Sequence, residues 1–283
     1  VLPDHPVLVT SSDGGRSRRA IIRHSGQMAA MYLNAGQTAH TIIQGLTFEL
    51  TATNGLQMAF WCGGNIPWPS PPASALFRNI YLRMGNSNVE YFGWFFRHYK
   101  ADVAIVSSCT INANHAANVR GIYAIDAPPL TIENCTFVNF PSNDTGLGYG
   151  VQYESTLRNH GNAPNPIPLK IENCLFDLSF TNAYALAPLE HGVEYNVLMR
   201  NSIVPSALAY SADSMENIII TNAGVSAYGH IGETSPAINV GKTVRYSDFD
   251  IDGQSRNTLP DIGSDDYVHT SVPTDTDGDG ISD

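Results

Sequence analysis

Apolar and polar residues alternate along much of the chain, and in seven places the alternation slips by one residue at the same relative point. The clearest copies are residues 130–137, LTIENCTF, and 169–176, LKIENCLF. Aligned on the slip, the centres are Gly45, Asn79, Ser108, Asn134, Asn173, Asn201 and Asn217. Two residues before them stand Ile43, Phe77, Val106, Ile132, Ile171, Met199 and Met215. One residue after stand Leu46, Ile80, Cys109, Cys135, Cys174, Ser202 and Ile218; three after, Phe48, Leu82, Ile111, Phe137, Phe176, Val204 and Ile220. These are the predicted inward positions. A strand whose inward face changes parity must turn at that point. Asn tolerates, and Gly freely adopts, the left-handed conformation such a turn needs.

A second predicted strand precedes each copy, over 28–33, 56–61, 91–96, 121–125, 150–153, 183–186 and 207–210. Short strands that cannot bury their apolar sides alone imply stacking of successive copies into one core. The expected fold is an all-β parallel solenoid of about seven coils. In-register stacking at about 4.8 Å would let Asn79, Asn134, Asn173, Asn201 and Asn217 bond amide to amide as a structural ladder. The outward position before each centre carries Gln44, Arg78, Ser107, Glu133, Glu172, Arg200 and Glu216, so Arg200 stacks beside two glutamates. Two residues after the centre the series ends in Leu175, Ile203 and Ile219. An outward apolar strip this regular needs a cover, either the chain's own segment after Val225 or another subunit.

Composition narrows the function. Only 14% of residues are charged, the net charge is −11, and there are three lysines, which argues against nucleic acid as a partner. Three of the four cysteines share one inward column, which favours buried free thiols over a disulfide or metal site. No run is long enough to span a bilayer as a helix, and the first residues do not read as a signal peptide.

Candidate chemistry lies in the insertions between copies, expected on one face. Trp61, Trp68, Trp94, Tyr91 and Tyr99 are candidates for an aromatic platform under sugar rings, with Trp94 alternatively filling the core; Arg158 and His160 lie on the loop 141–168. Arg97, His98, Lys100, His115 and Arg120 are the basic candidates for catalysis, with Glu154, Glu190, His191 and Glu194 on later coils. Asp275, Asp277, Asp279 and Asp283 alternate around Gly280 in the manner of a calcium loop. Asp248, Asp250 and Asp252 share the spacing, but the reading preferred for them is a strand with Phe249 and Ile251 inward.

Residues 235–267 resemble the closing segment of bacterial secreted parallel β-helix proteins of the choice-of-anchor and polysaccharide-lyase-like group. The matching residues are Ser235, Pro236, Ala237, Ile238, then Asp250, Asp252, Gly253, Arg256, then Asp261, Ile262 and Gly263, while Ser264, Asp265 and Asp266 depart from the pattern. The tail 275–283 resembles the start of a thrombospondin type 3 calcium repeat. The resemblance implies a right-handed β-helix, export to the cell surface or medium, and Ca2+. The expected divisions are 1–26 (cap or degenerate first coil, with Ile21 and Ile22), 27–224 (β-helix), 225–270 (closing segment) and 271–283 (acidic repeat or linker). Two functions are open. One is a non-catalytic surface module that binds a polysaccharide or cell-surface glycan, or self-associates through its ends or the strip Leu175, Ile203, Ile219. The other is a calcium-assisted lyase or hydrolase acting on an acidic polysaccharide.

Overall fold

A computed structural model describes residues 7–11, 20–34, 40–63, 74–85, 89–97, 103–125, 129–140, 148–154, 168–177, 183–186, 196–205, 214–246 and 248–267. Among them there is no helix, and the named strands pair in parallel within two sheets. The 14-stranded sheet holds β1 (Val7–Thr10), β2 (Ala20–His24), β4 (Thr41–Leu50), β6 (Ser74–Arg83), β8 (Val103–Ser107), β9 (Thr110–Asn112), β11 (Leu130–Glu133), β12 (Thr136–Val138), β14 (Pro168–Glu172), β15 (Leu175–Asp177), β17 (Asn196–Arg200), β18 (Ile203–Val204), β19 (Ser214–Glu216) and β20 (Ile219–Ile220). The 6-stranded sheet holds β3 (Met28–Asn34), β5 (Leu56–Gly63), β7 (Glu90–Arg97), β10 (Asn118–Ile125), β13 (Gly148–Glu154) and β16 (Ala183–Leu186). The result is a curled, solenoid-like all-β arrangement compatible with a β-helix.

Pairing follows the sequence copies. Ile43, Phe77, Val106, Ile132, Ile171, Met199 and Met215 are successive partners across the first sheet. All seven centres have positive φ, from 45° at Asn201 to 64° at Gly45. β4 and β6 run through the slip; in each later copy it divides one strand into two. The side-chain amides connect in pairs: Asn173 Nδ2 donates to Asn134 Oδ1 and Asn217 Nδ2 to Asn201 Oδ1, each at 3.2 Å. The run stops at Asn134, whose Nδ2 is buried without a partner, as is Ser108 Oγ one copy earlier.

The two sheets fit through a size match. Leu82, Phe137 and Phe176 project from the first sheet toward Gly93, Gly121 and Gly150 of the second. A Cβ on those glycines would stand 2.9, 2.8 and 2.7 Å from the Leu82, Phe137 and Phe176 side chains. Phe137 and Phe176 stack at 4.6 Å in the space this leaves. All four cysteines are free and buried. β1 and β2 pair with the two halves of β4, and Ile22 rather than Ile21 continues the inward column opposite Phe48. The inward pattern fails in the last copy, where Met215 is 36% and Ile220 56% exposed. β19 and β20 end their ladders, so only one neighbour packs against each.

The outward strip is covered by the chain itself. Leu175 and Ile203 are fully buried in a cluster with Ala223, Ile231, Ala237 and Ile262, against which Ile219 and Ile238 also pack. Leu175 and Ile203 are thereby buried within the chain, while Ile219 stays half-buried. The same outward column is polar earlier in the chain, and the cover matches it. Tyr81 stacks on Tyr228, while Ser264 bonds Thr110 at 2.7 Å and takes Thr136 Oγ1 as acceptor for both its N–H and hydroxyl. Asn173 fastens the segment further, accepting from Lys242 N at 3.0 Å and donating to Lys242 O. Gly263 lies at a close approach: its φ is 110° and a Cβ there would be 2.7 Å from Thr136 Oγ1.

Two substitutions test this account. Ser108→Asn supplies an amide oxygen for Asn134 Nδ2 and a residue better suited to positive φ, so it should stabilise the chain by about 1 kcal/mol in urea unfolding. Gly263→Ala combines a forbidden φ with a clash and should destabilise it by roughly 1–3 kcal/mol in the same measurement.

Candidate functional site

Two regions carry chemistry beyond packing: the outer face of the second sheet, and the closing segment. Along β3, β5, β7 and β10 the residues Leu33, Cys62, Phe96 and Ala124 belong to the core, so their neighbours in the strand point to the other face. There Tyr32, Trp61, Phe95 and Tyr123 are direct partners across four adjacent strands. Their rings touch in sequence, Tyr32–Trp61 at 6.3 Å, Trp61–Phe95 at 5.0 Å edge-on and Phe95–Tyr123 at 5.1 Å stacked. Phe95 is buried in a second apolar cluster with Ala29, Met58 and Phe92, Trp61 and Tyr123 pack half-buried against it, and Tyr32 is 40% exposed, so the strip opens to solvent at the β3 end. Arg120 lies over the rings of Phe92 and Tyr123, 5.1 Å from each centroid, paired with Glu90 and bonded to Gln152. Glu154 accepts from the Tyr123 hydroxyl at 2.9 Å; burial first, and then that bond, push the Tyr123 phenol well up.

The expected aromatic platform is therefore redistributed. Trp61 is on this face. Tyr91 and Trp94 are fully buried, Tyr91 with its hydroxyl donating to Ala52 O at 2.8 Å, and neither has a face to offer a sugar. Tyr32, Phe95 and Tyr123 take their place; the shared offset in successive second strands was the available signal. Trp68, Tyr99, Arg158 and His160 lie outside the described residues.

The basic candidates do not converge among the described residues. Arg97 and Arg120 sit on neighbouring strands, but Arg97 is opposite Ile125, five residues from Arg120, or about 16 Å along the strand. Arg120 is committed to its pair with Glu90. His115 lies in a turn with φ 59°, its N–H donating to Asn139 O at 2.7 Å. His98, Lys100, Glu190, His191 and Glu194 fall outside the described residues, as do Asp275, Asp277, Asp279 and Asp283.

The closing segment gathers acids. Residues 248–252 form a tight loop instead of the expected strand. Asp250 is fully buried, its Oδ1 accepting from the N–H of Asp252 at 3.0 Å and of Gln254 at 2.8 Å. Its Oδ2 is buried with no partner. Ile251 is inward as expected; Phe249 is only half-buried, and it bridges Ser255 across the loop. Asp261 and Asp266 are capped on both oxygens, by the N–H groups of Asn239 and Tyr267 and of Asn257 and Asp261 respectively. Asp265 accepts from Ile231 N at 2.9 Å, and its carboxylate meets Asp252 and His230. His230 Nε2 stands 3.1 Å from Asp252 Oδ2. Burial, then the charges of Asp252 and Asp265, raise Asp250 to about 8 against the opposing pull of Arg256. Burial likewise raises Asp265 to about 6, opposed by His230.

No family model, no curated protein and no solved structure matches the chain.

The raised acids fix a pH dependence. An aspartate held above its unfolded value of 3.8 keeps its proton in the folded chain, so this stability is complete below that value and is lost as pH rises through about 8. Urea midpoints measured in EDTA should fall between pH 5 and pH 8, numbers set by roughly these titrations. Asp250→Asn, which carries no charge to expel, should flatten that decline.

Proposed function

We propose that the chain is a right-handed parallel β-helix of about seven coils, part of a secreted or cell-surface protein, that binds a glycan without cleaving it. The observation that carries this is the strip Tyr32, Trp61, Phe95 and Tyr123, four aromatic residues in register on the face turned away from the core. Flat rings held in a row by strand pairing offer contact area to sugar rings with little side-chain entropy to lose. Arg120, the acids Glu90 and Glu154 and the amide of Gln152 beside the strip supply hydrogen bonds for hydroxyl groups. The acidic tail around Asp275 and Asp279 is proposed to bind Ca2+ through its alternating carboxylates. Self-association is proposed only at the ends of the stack, where Met215 and Ile220 are exposed.

A lyase needs a base and an acid within hydrogen-bond reach of one sugar. Among the described residues Arg97 and Arg120 do not provide that geometry, and binding is preferred to cleavage on the strength of the aromatic strip.

The test is a panel of neutral and anionic polysaccharides screened for retardation and for unsaturated oligosaccharide products. Binding to at least one, weakened about tenfold or more by Trp61→Ala and by Tyr32→Ala with circular dichroism unchanged, is the expected outcome. Release of unsaturated products, or binding indifferent to both substitutions, would overturn it.

A further inference from the structure

A second site lies in the closing segment and does not depend on the glycan-binding reading. His230, Asp252 and Asp265 each present one ligand atom, and these atoms lie within 4.8 Å of one another. Ligand bonds of about 2.1 Å in a tetrahedral site put neighbouring donors about 3.4 Å apart. His230 Nε2 and Asp252 Oδ2, at 3.1 Å, already meet that spacing. Asp265 is brought in by Ile231, whose N–H holds its Oδ2 at 2.9 Å.

An acidic cluster alone would not mark a site. The independent observation is Asp250: its residue is fully buried, its Oδ2 has no hydrogen-bond partner, and its Oδ1 holds the N–H of Asp252 at 3.0 Å, which fixes it to the loop that carries one of the three ligands. Asp261 and Asp266 show what a purely structural aspartate looks like in this segment, with every oxygen capped by a backbone N–H. Asp250 keeps one oxygen in reserve, in a place where leaving it unmatched is unfavourable. Asp252 and Asp265 share one imidazole, Asp250 lies buried on the same loop as Asp252, and the guanidinium of Arg256 is itself engaged with Asp266 and Gly263 O. The group that would satisfy all of them is a small divalent cation.

We propose that His230, Asp252 and Asp265 bind a first-row divalent transition-metal ion, with Asp250 behind them as a further carboxylate. The imidazole nitrogen selects against Ca2+, which takes six to eight oxygen ligands, and in favour of ions such as Zn2+ or Mn2+. Metal binding requires Nε2 of His230 without a proton, so that its lone pair faces the ion. The ion joins the turn at 229–231 and the stretch at 263–266, both of which lie against the sheet, to the loop at 250–252. Its role is to lock the cover in place.

The test uses the full chain, stripped with EDTA and titrated separately with Zn2+, Mn2+ and Ca2+, followed by calorimetry and by the thermal midpoint. Zn2+ or Mn2+ should raise the midpoint by several degrees through preferential binding to the folded state. His230→Ala, at a ring that is 32% exposed and therefore tolerant of truncation, should weaken that binding at least about tenfold and abolish the rise. Asp252→Asn should do the same, while the double substitution Asp277→Asn, Asp279→Asn in the tail should leave it intact. Binding of Zn2+ and Mn2+ that ignores His230→Ala, a midpoint that responds only to Ca2+, or a response removed only by the tail substitutions would each overturn the assignment.

Discussion

Each copy of the pattern must turn its strand over at one residue while keeping its pairing with the copies on either side. A one-residue slip elsewhere would carry every side chain to the wrong face. The left-handed residue confines the change to a single peptide, and because all seven centres adopt it, the parity change occurs at the same height in every copy. The side chain at that residue is then stacked on its neighbours by the backbone pairing. Asn uses the position twice, as a tolerant conformer and as an amide that bonds to the next copy. Ser108 serves only the first purpose, which leaves Asn134 Nδ2 without a partner.

That register organises the surfaces as well as the core. On the inward side it aligns Leu82, Phe137 and Phe176 with glycines of the opposite sheet, so the two sheets approach closely at those rungs. On the outward side it sorts one column into aromatic, hydroxyl and aliphatic stretches, and the closing segment answers each in kind with Tyr228, Ser264 and Ile262. The aromatic strip of the second sheet arises in the same way, from one offset repeated in four strands. No loop is needed to assemble it.

The first sheet was legible in the sequence because its signal is local: LTIENCTF and LKIENCLF state their own inward residues, and the centres at Asn134 and Asn173 announce the turn. The need for a cover over Leu175 and Ile203 was legible for the same reason. The second sheet was harder. In the stretch YFGWFF every residue except Gly93 is aromatic, so alternation cannot say which face Trp94 or Phe95 occupies. Pairing of Gly93 with the glycine column decides it, and pairing is not a local property. The closing site was hidden by separation: His230 meets Asp252 across 22 residues of chain, and Asp265 lies in the part of the segment that departs from the resembled pattern. Asp250, with apolar neighbours on both sides, reads as an outward strand residue, yet it caps a turn from within.

The two kinds of aspartate in the closing segment connect these observations. Asp261 and Asp266 satisfy their charge with backbone N–H groups, and they hold the segment's own shape under any conditions in which carboxylates are ionised. Asp250, Asp252 and Asp265 repel one another at the point where three stretches of the cover meet. Relief comes from a proton or from a cation. A proton quiets one carboxylate at a time and is lost as pH rises, whereas a divalent ion attracts all three at once and crosslinks the stretches that carry them. The cover lies over Leu175 and Ile203, which are fully buried only because it is closed. The three carboxylates thus lie in the same segment that keeps an aliphatic strip along the side of the stack out of water.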